Sequence, residues 1–156
     1  MKHTMNVSTP TDTSILLERA FDAPRALLWR TLSEPELVKR WWGCNAGDMI
    51  RCDIDFRVGG AWRFELRLAN GNVMGQSGEY VEIVKPERIV NTEGMDGYEG
   101  SILVTYTLVE ANGRTTLTCH SECHTKFIRD TIISTGMEQG AAESYDRLEQ
   151  VARSLL

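Results

Sequence analysis

The chain has 156 residues, 42% of them hydrophobic and 25% charged, with a net charge of −5. That length holds one domain with a core of its own, needing neither disulfide nor metal support. The acidic balance and the lack of a Lys/Arg stripe argue against a nucleic-acid partner, and no apolar run is long enough to cross a bilayer. The cysteines, Cys44, Cys52, Cys119 and Cys123, follow no secreted-scaffold spacing and fit reduced thiols in a cytoplasmic protein.

Residues 1–13, "MKHTMNVSTPTDT", put no apolar stretch behind their single Lys, so they read as a flexible tail and not as a secretory signal. The domain is expected over residues 14–156. "SILLERAF" (14–21) is a first strand, ended by Asp22-Ala23-Pro24. Asp22 can cap a following helix whose apolar stripe is Ala26, Leu27, Leu28 and Leu32, and Pro24 suits its first turn. Ser33-Glu34-Pro35 stops that helix and starts a second, short one through Leu37, Val38 and Trp41. "GCNAGD" is then a loop.

From Met49 to Cys123 the pattern is strands divided by turn signals: Gly59-Gly60, Asn70-Gly71, Lys85-Pro86, Asp96-Gly97 and Asn112-Gly113. The Asn-Gly dipeptides predict tight hairpins and therefore antiparallel neighbours. "AWRFELRL" alternates cleanly, with Trp62, Phe64, Leu66 and Leu68 inward. On a later strand Asn91 and Glu93 share a face with Ile89, while Val90 and Thr92 take the other, and either set suits the interior. Were Glu93 to face inward, burial would raise its pKa and make it an acid/base candidate.

"CHSECH" (119–124) concentrates two cysteines and two histidines. Alternation places Leu117, Cys119, Ser121 and Cys123 on one face, with Thr116, Thr118, His120 and Glu122 on the other. Cysteines and His120 then cannot share one metal from this strand. Residues four apart on one extended face lie about 13 Å apart, beyond disulfide reach. The stretch reads as a strand end. The last segment, Thr125 to Leu156, lacks proline and carries Ile133, Met137, Ala141, Leu148, Val151, Ala152 and Leu155 at helical spacing. It predicts one helix of roughly 30 residues, about 45 Å long.

The order is strand, two short helices, about six more antiparallel strands and a long C-terminal helix. It predicts an α+β helix-grip fold: a curved antiparallel sheet of about seven strands around that helix, with a cavity between them. "RAFDAPRALLWRTLSEPELVKRWWG", "DFRVGGAWRFELR", "EYVEIVKPERIVNTE" and "GMEQGAAESYDRL" resemble, in order, segments of the activator-of-heat-shock-protein-90-ATPase homologues. These form a branch of the START-like (Bet v 1-like, SRPBCC) superfamily, and the resemblance spans about Ile15 to Leu155. It implies the same fold, with a cavity suited to a small apolar molecule, and no particular reaction. Two positions depart from the family pattern. Ala141 stands where a Trp usually follows Gly-Met-Glu-x-Gly, which implies a larger or differently lined cavity. Cys44 stands where a Pro often follows Trp41-Trp42-Gly43, which implies a more flexible mouth loop. The chaperone activators proper carry a separate N-terminal domain, for which this length leaves no room.

Trp42 at the cavity mouth, Trp62, Phe64 and Tyr106 on the walls, and Ile133 and Met137 at the floor are the expected ligand-binding residues. Gly136 and Gly140, costly inside a helix, would mark close approach to the sheet or room for a ligand. No catalytic set is read: His3 is in the tail, His120 points outward and His124 lies at a junction. No cofactor or metal is expected. Binding of a small apolar ligand is the leading function. A cyclase- or hydrolase-type enzyme using the same cavity, and a surface module acting on a chaperone partner, are the alternatives.

Overall fold

The computed structural model describes residues 4–43 and 46–156. His3 and the expected change at Cys44 lie outside the described residues. The elements are β1 (Asn6–Ser8), β2 (Ser14–Phe21), α1 (Arg25–Ser33), α2 (Pro35–Val38), β3 (Gly47–Ile54), β4 (Ala61–Leu68), β5 (Val73–Val84), β6 (Arg88–Met95), β7 (Ile102–Ala111), β8 (Arg114–Glu122), α3 (Lys126–Ser134) and α4 (Met137–Arg153). All eight strands form one antiparallel sheet in the order β1-β2-β8-β7-β6-β5-β4-β3. Hairpins link β3 to β8 in sequence, so the sheet grows by local pairing until β8 meets β2.

Turn chemistry sets the registers. Asn112 (φ 56°) and Gly113 (φ 75°) both adopt the left-handed conformation that a two-residue hairpin requires, and Ala111 lies opposite Arg114. The Asn70-Gly71 turn is longer: the Gly71 N–H donates to the Leu68 carbonyl at 2.9 Å, and only Gly71 has positive φ. In β5 the register slips between Tyr80 and Glu82. This bulge bends the strand, leaving Val81 exposed while Tyr80 stays buried.

Four expectations are corrected. Part of the predicted tail, Asn6–Ser8, is an edge strand paired with Leu16–Glu18, which makes eight strands in place of about seven. Asp22 does not cap α1. Pro24 takes that position without a side-chain bond, while Asp22 forms an ion pair with Arg114 at 2.9 Å. The single C-terminal helix is two, α3 and α4. Hydroxyls of Ser134 and Thr135 bond back to the Thr131 and Ile132 carbonyls at the end of α3, and Gly136 turns into the left-handed region (φ 81°). Gly140 approaches nothing: a Cβ there would meet no atom within 4 Å.

The core lies between the concave face of the sheet and the helices. Tyr145, Leu148, Val151 and Ala152 give α4 its buried stripe at helical spacing. Arg19, only 2% exposed on the inner face of β2, fixes that helix. Its guanidinium reaches Asp146 at 2.8 Å and Glu149 at 3.4 Å, and stacks 4.4 Å from the Phe21 ring. Glu149 also accepts the Asp22 backbone N–H at 2.7 Å. By contrast α3 buries no residue fully, and Phe127 on it is 79% exposed. Among the described residues no helix is long and apolar enough to cross a membrane.

Candidate functional site

The helices do not cover the sheet evenly. On the β2 side α4 closes directly onto the core, whereas over β4 to β7 the cover comes mainly from α1, α2 and the turn after α2, with Tyr145 of α4 reaching Tyr106 and Cys119. Between that cover and the sheet lies a small recess, about 50 Å³ of enclosed space with a mouth open to solvent. That space has no room for a long acyl chain. Leu32, Val38, Trp41 and Trp42 form one wall, and β4 supplies Trp62 and Phe64. The remaining wall is Tyr80 of β5, Ile89, Asn91 and Glu93 of β6, and Tyr106 of β7.

This position differs from the expected one under the C-terminal helix. Trp42, Trp62, Phe64 and Tyr106 come together around the recess. Ile133 and Met137 do not line it: Ile133 is 40% exposed on α3, and Met137 packs at the edge of the core. The break at Gly136 and the Arg19 anchor direct α4 toward β2, so the helix segment assigned to a floor stands elsewhere.

The rings of the aromatic wall pack on one another. Trp42 and Phe64 have ring centroids 4.9 Å apart, and Trp62 lies 4.8 Å from Phe64. Trp41 is buried, and its indole N–H donates to the Thr31 carbonyl at 2.8 Å. Trp62 lies across Gly78, where any Cβ would strike its indole and the Thr92 carbonyl. The Trp62 Nε1 and Gln76 Oε1 atoms are buried without a hydrogen-bond partner among the described residues.

The polar content sits on the sheet side. Asn91 donates from Nδ2 to the Thr92 carbonyl at 3.1 Å. Glu93 has neither a side-chain hydrogen bond nor an ion pair among the described residues. Burial raises its pKa to about 7. Burial likewise pushes the Tyr80, Tyr106 and Tyr145 hydroxyls far up, and the Cys119 thiol, set beside the Tyr145 and Tyr106 hydroxyls, up to about 12. Glu93 is therefore the group here that changes charge near neutrality.

Of the two β6 faces left open by sequence reading, that of Ile89, Asn91 and Glu93 is the inner one. A signal for it existed: opposed residues in a ladder share a face, and Ile89, Asn91 and Glu93 lie opposite Tyr106, Val104 and Ile102. In "CHSECH", Cys119 and Cys123 are buried, while His120 and Glu122 take the opposite face. Sequence reading left the face of Asn91 open and overlooked Tyr80, Leu32 and Val38 as lining of the recess.

A curved antiparallel sheet gripping helices above an aromatic recess defines a START-like helix-grip protein. The chain belongs to the family described as Activator of Hsp90 ATPase homolog 1-like protein, whose profile matches residues 22–153. No curated protein matches it. Among solved structures it is similar to a Rhodobacter sphaeroides protein, at 25% identity and TM-score 0.90, over 98% of this chain and 100% of that one. Protein Ms6760 from Mycobacterium smegmatis shares the fold at 18% identity and TM-score 0.86, over 99% of each chain. Protein NE0264 from Nitrosomonas europaea does so at 24% identity and TM-score 0.84, over 95% of this chain and 100% of that one.

Proposed function

We propose that the protein binds a small, mainly apolar molecule in the recess between β4–β7 and the α1–α2 cover. One observation carries this reading: six aromatic side chains surround space that solvent reaches, where close-packed interiors leave little. We place the protein in a cytoplasm, a reading supported by free, buried thiols at Cys52, Cys119 and Cys123. Saturation-transfer NMR with neutral aromatic probes such as indole tests the reading. Transfer is expected with the native chain, and its loss with Leu32→Trp, which fills the recess. Silence from every probe, or undiminished transfer in the filled variant, would overturn it.

A second reading is favoured by Glu93, a recessed carboxyl that titrates near neutrality and shares the recess with Tyr106. Such a group suits proton abstraction or donation in an enzyme of cyclase or hydrolase type. Turnover of a bound molecule that stops in Glu93→Gln, with binding retained, is the outcome that would support it. The family description also suggests a chaperone partner. The exposed apolar side chains Tyr98, Val109 and Phe127 lie on separate elements, which gives that surface role less support.

A further inference from the structure

We infer that the recess selects a small organic cation: an ammonium or alkylammonium group on an apolar body, with the charge against Glu93 and the body against the aromatic wall. This rests on the ligand-binding reading above and names the class of ligand.

Three observations converge. Glu93 lines the recess and has no hydrogen bond or ion pair among the described residues, so its carboxylate is left for a partner from outside. None of the eleven residues around the recess is Lys, Arg or His, so nothing there neutralises it. Six of the eleven are aromatic, and ring faces carry the negative side of a quadrupole, which attracts a cation within about 6 Å. An anionic ligand, a fatty acid for example, would meet a like charge and no counter-charge. Above about pH 7, where Glu93 is ionised, a neutral ligand would leave that carboxylate unpaired, which is unfavourable.

The charge state gives the inference a pH signature. The titratable groups facing Glu93 are Tyr80 from β5, Tyr106 from β7, Cys119 from β8 and Tyr145 from α4. All are pushed upward and stay neutral near pH 7. β4 and the α1–α2 cover present only Trp62, Phe64, Leu32, Val38, Trp41 and Trp42. Glu93 alone then changes charge across neutrality, with its pKa about 7. A cation binds the ionised form, so its affinity climbs about tenfold from roughly pH 6 to roughly pH 8.

The experiment is calorimetric titration of the full chain with benzyltrimethylammonium, benzyl alcohol and benzoate. The permanent cation is expected to bind about tenfold tighter than the alcohol near pH 8, and benzoate weakest of the three. Glu93→Gln should lose about tenfold for the cation and flatten its pH profile, while the alcohol changes less than about twofold. Glu93→Asp, which keeps the charge, should retain the upward slope. Thermal melts of both variants confirm that they fold. Equal or tighter binding of the alcohol, or cation binding that survives Glu93→Gln, overturns the charge selection and leaves the recess reading standing. Silence from all three probes removes both.

Discussion

Glu93 sets stability against pH in a direction opposite to that of most carboxylates. Its ordinary value near 4.5 is raised to about 7 in the folded chain, so the native state holds this proton after the unfolded chain has released it. Its contribution therefore declines as pH rises from about 4.5 to about 7 and is level beyond. The full span corresponds to about 3 kcal/mol. Urea melts of native chain and Glu93→Gln at both ends of that range should coincide near pH 4 and separate by about 1–3 kcal/mol near pH 8, the variant being more stable. Coincidence at both ends would mean that the carboxyl is solvated. Neighbours of Glu93 in sequence left its orientation open, because Ile89 and Val90 are both apolar and both buried. Only the register against Ile102 and Val104, a non-local fact, separates the two faces.

At the scale of elements, two glycines that look equivalent in sequence behave oppositely. Gly136 holds a left-handed turn between α3 and α4, while Gly140 stands inside α4 with open space where a side chain would go. Gly136→Ala should therefore destabilise by about 1 kcal/mol and Gly140→Ala stabilise by a similar amount, in thermal or urea unfolding. A stabilising Gly136→Ala would mean that a continuous helix is accessible after all. Strands β2 to β8 and the two early helices were legible because alternation and punctuation are local, whereas β1, three residues within a polar stretch, was not. The helix break was not, since the apolar spacing runs through it from Ile133 to Met137. What divides the helix is the hydroxyl bonding of Ser134 and Thr135, together with one backbone dihedral. The aromatic half of the recess followed from "AWRFELRL" and Trp42. Its helical wall did not, because which helix lies over which strands is decided by Arg19: alternation sets it beside Ile15, Leu17 and Phe21 but does not reveal its partners on α4.

For the whole molecule, Arg19 is the link between sheet and C-terminal helix. One buried guanidinium engages Asp146 and Glu149, and α1 packs against the same helix. Arg19→Met should cost about 3–5 kcal/mol in denaturant unfolding, because two carboxylates lose a cation at a site where water does not readily replace it. A loss below about 1 kcal/mol would show that apolar packing alone seats α4. The sheet has a further property that bears on how the chain is made. Phe21 lies opposite Thr115, and the Thr115 hydroxyl donates to the Ala23 carbonyl 92 positions earlier. Strand β2 must therefore wait for β8, much later in the chain, before this edge is paired. Until then its oily side has no cover, and a nascent chain stalled short of that point would offer chaperones or proteases an unfinished edge.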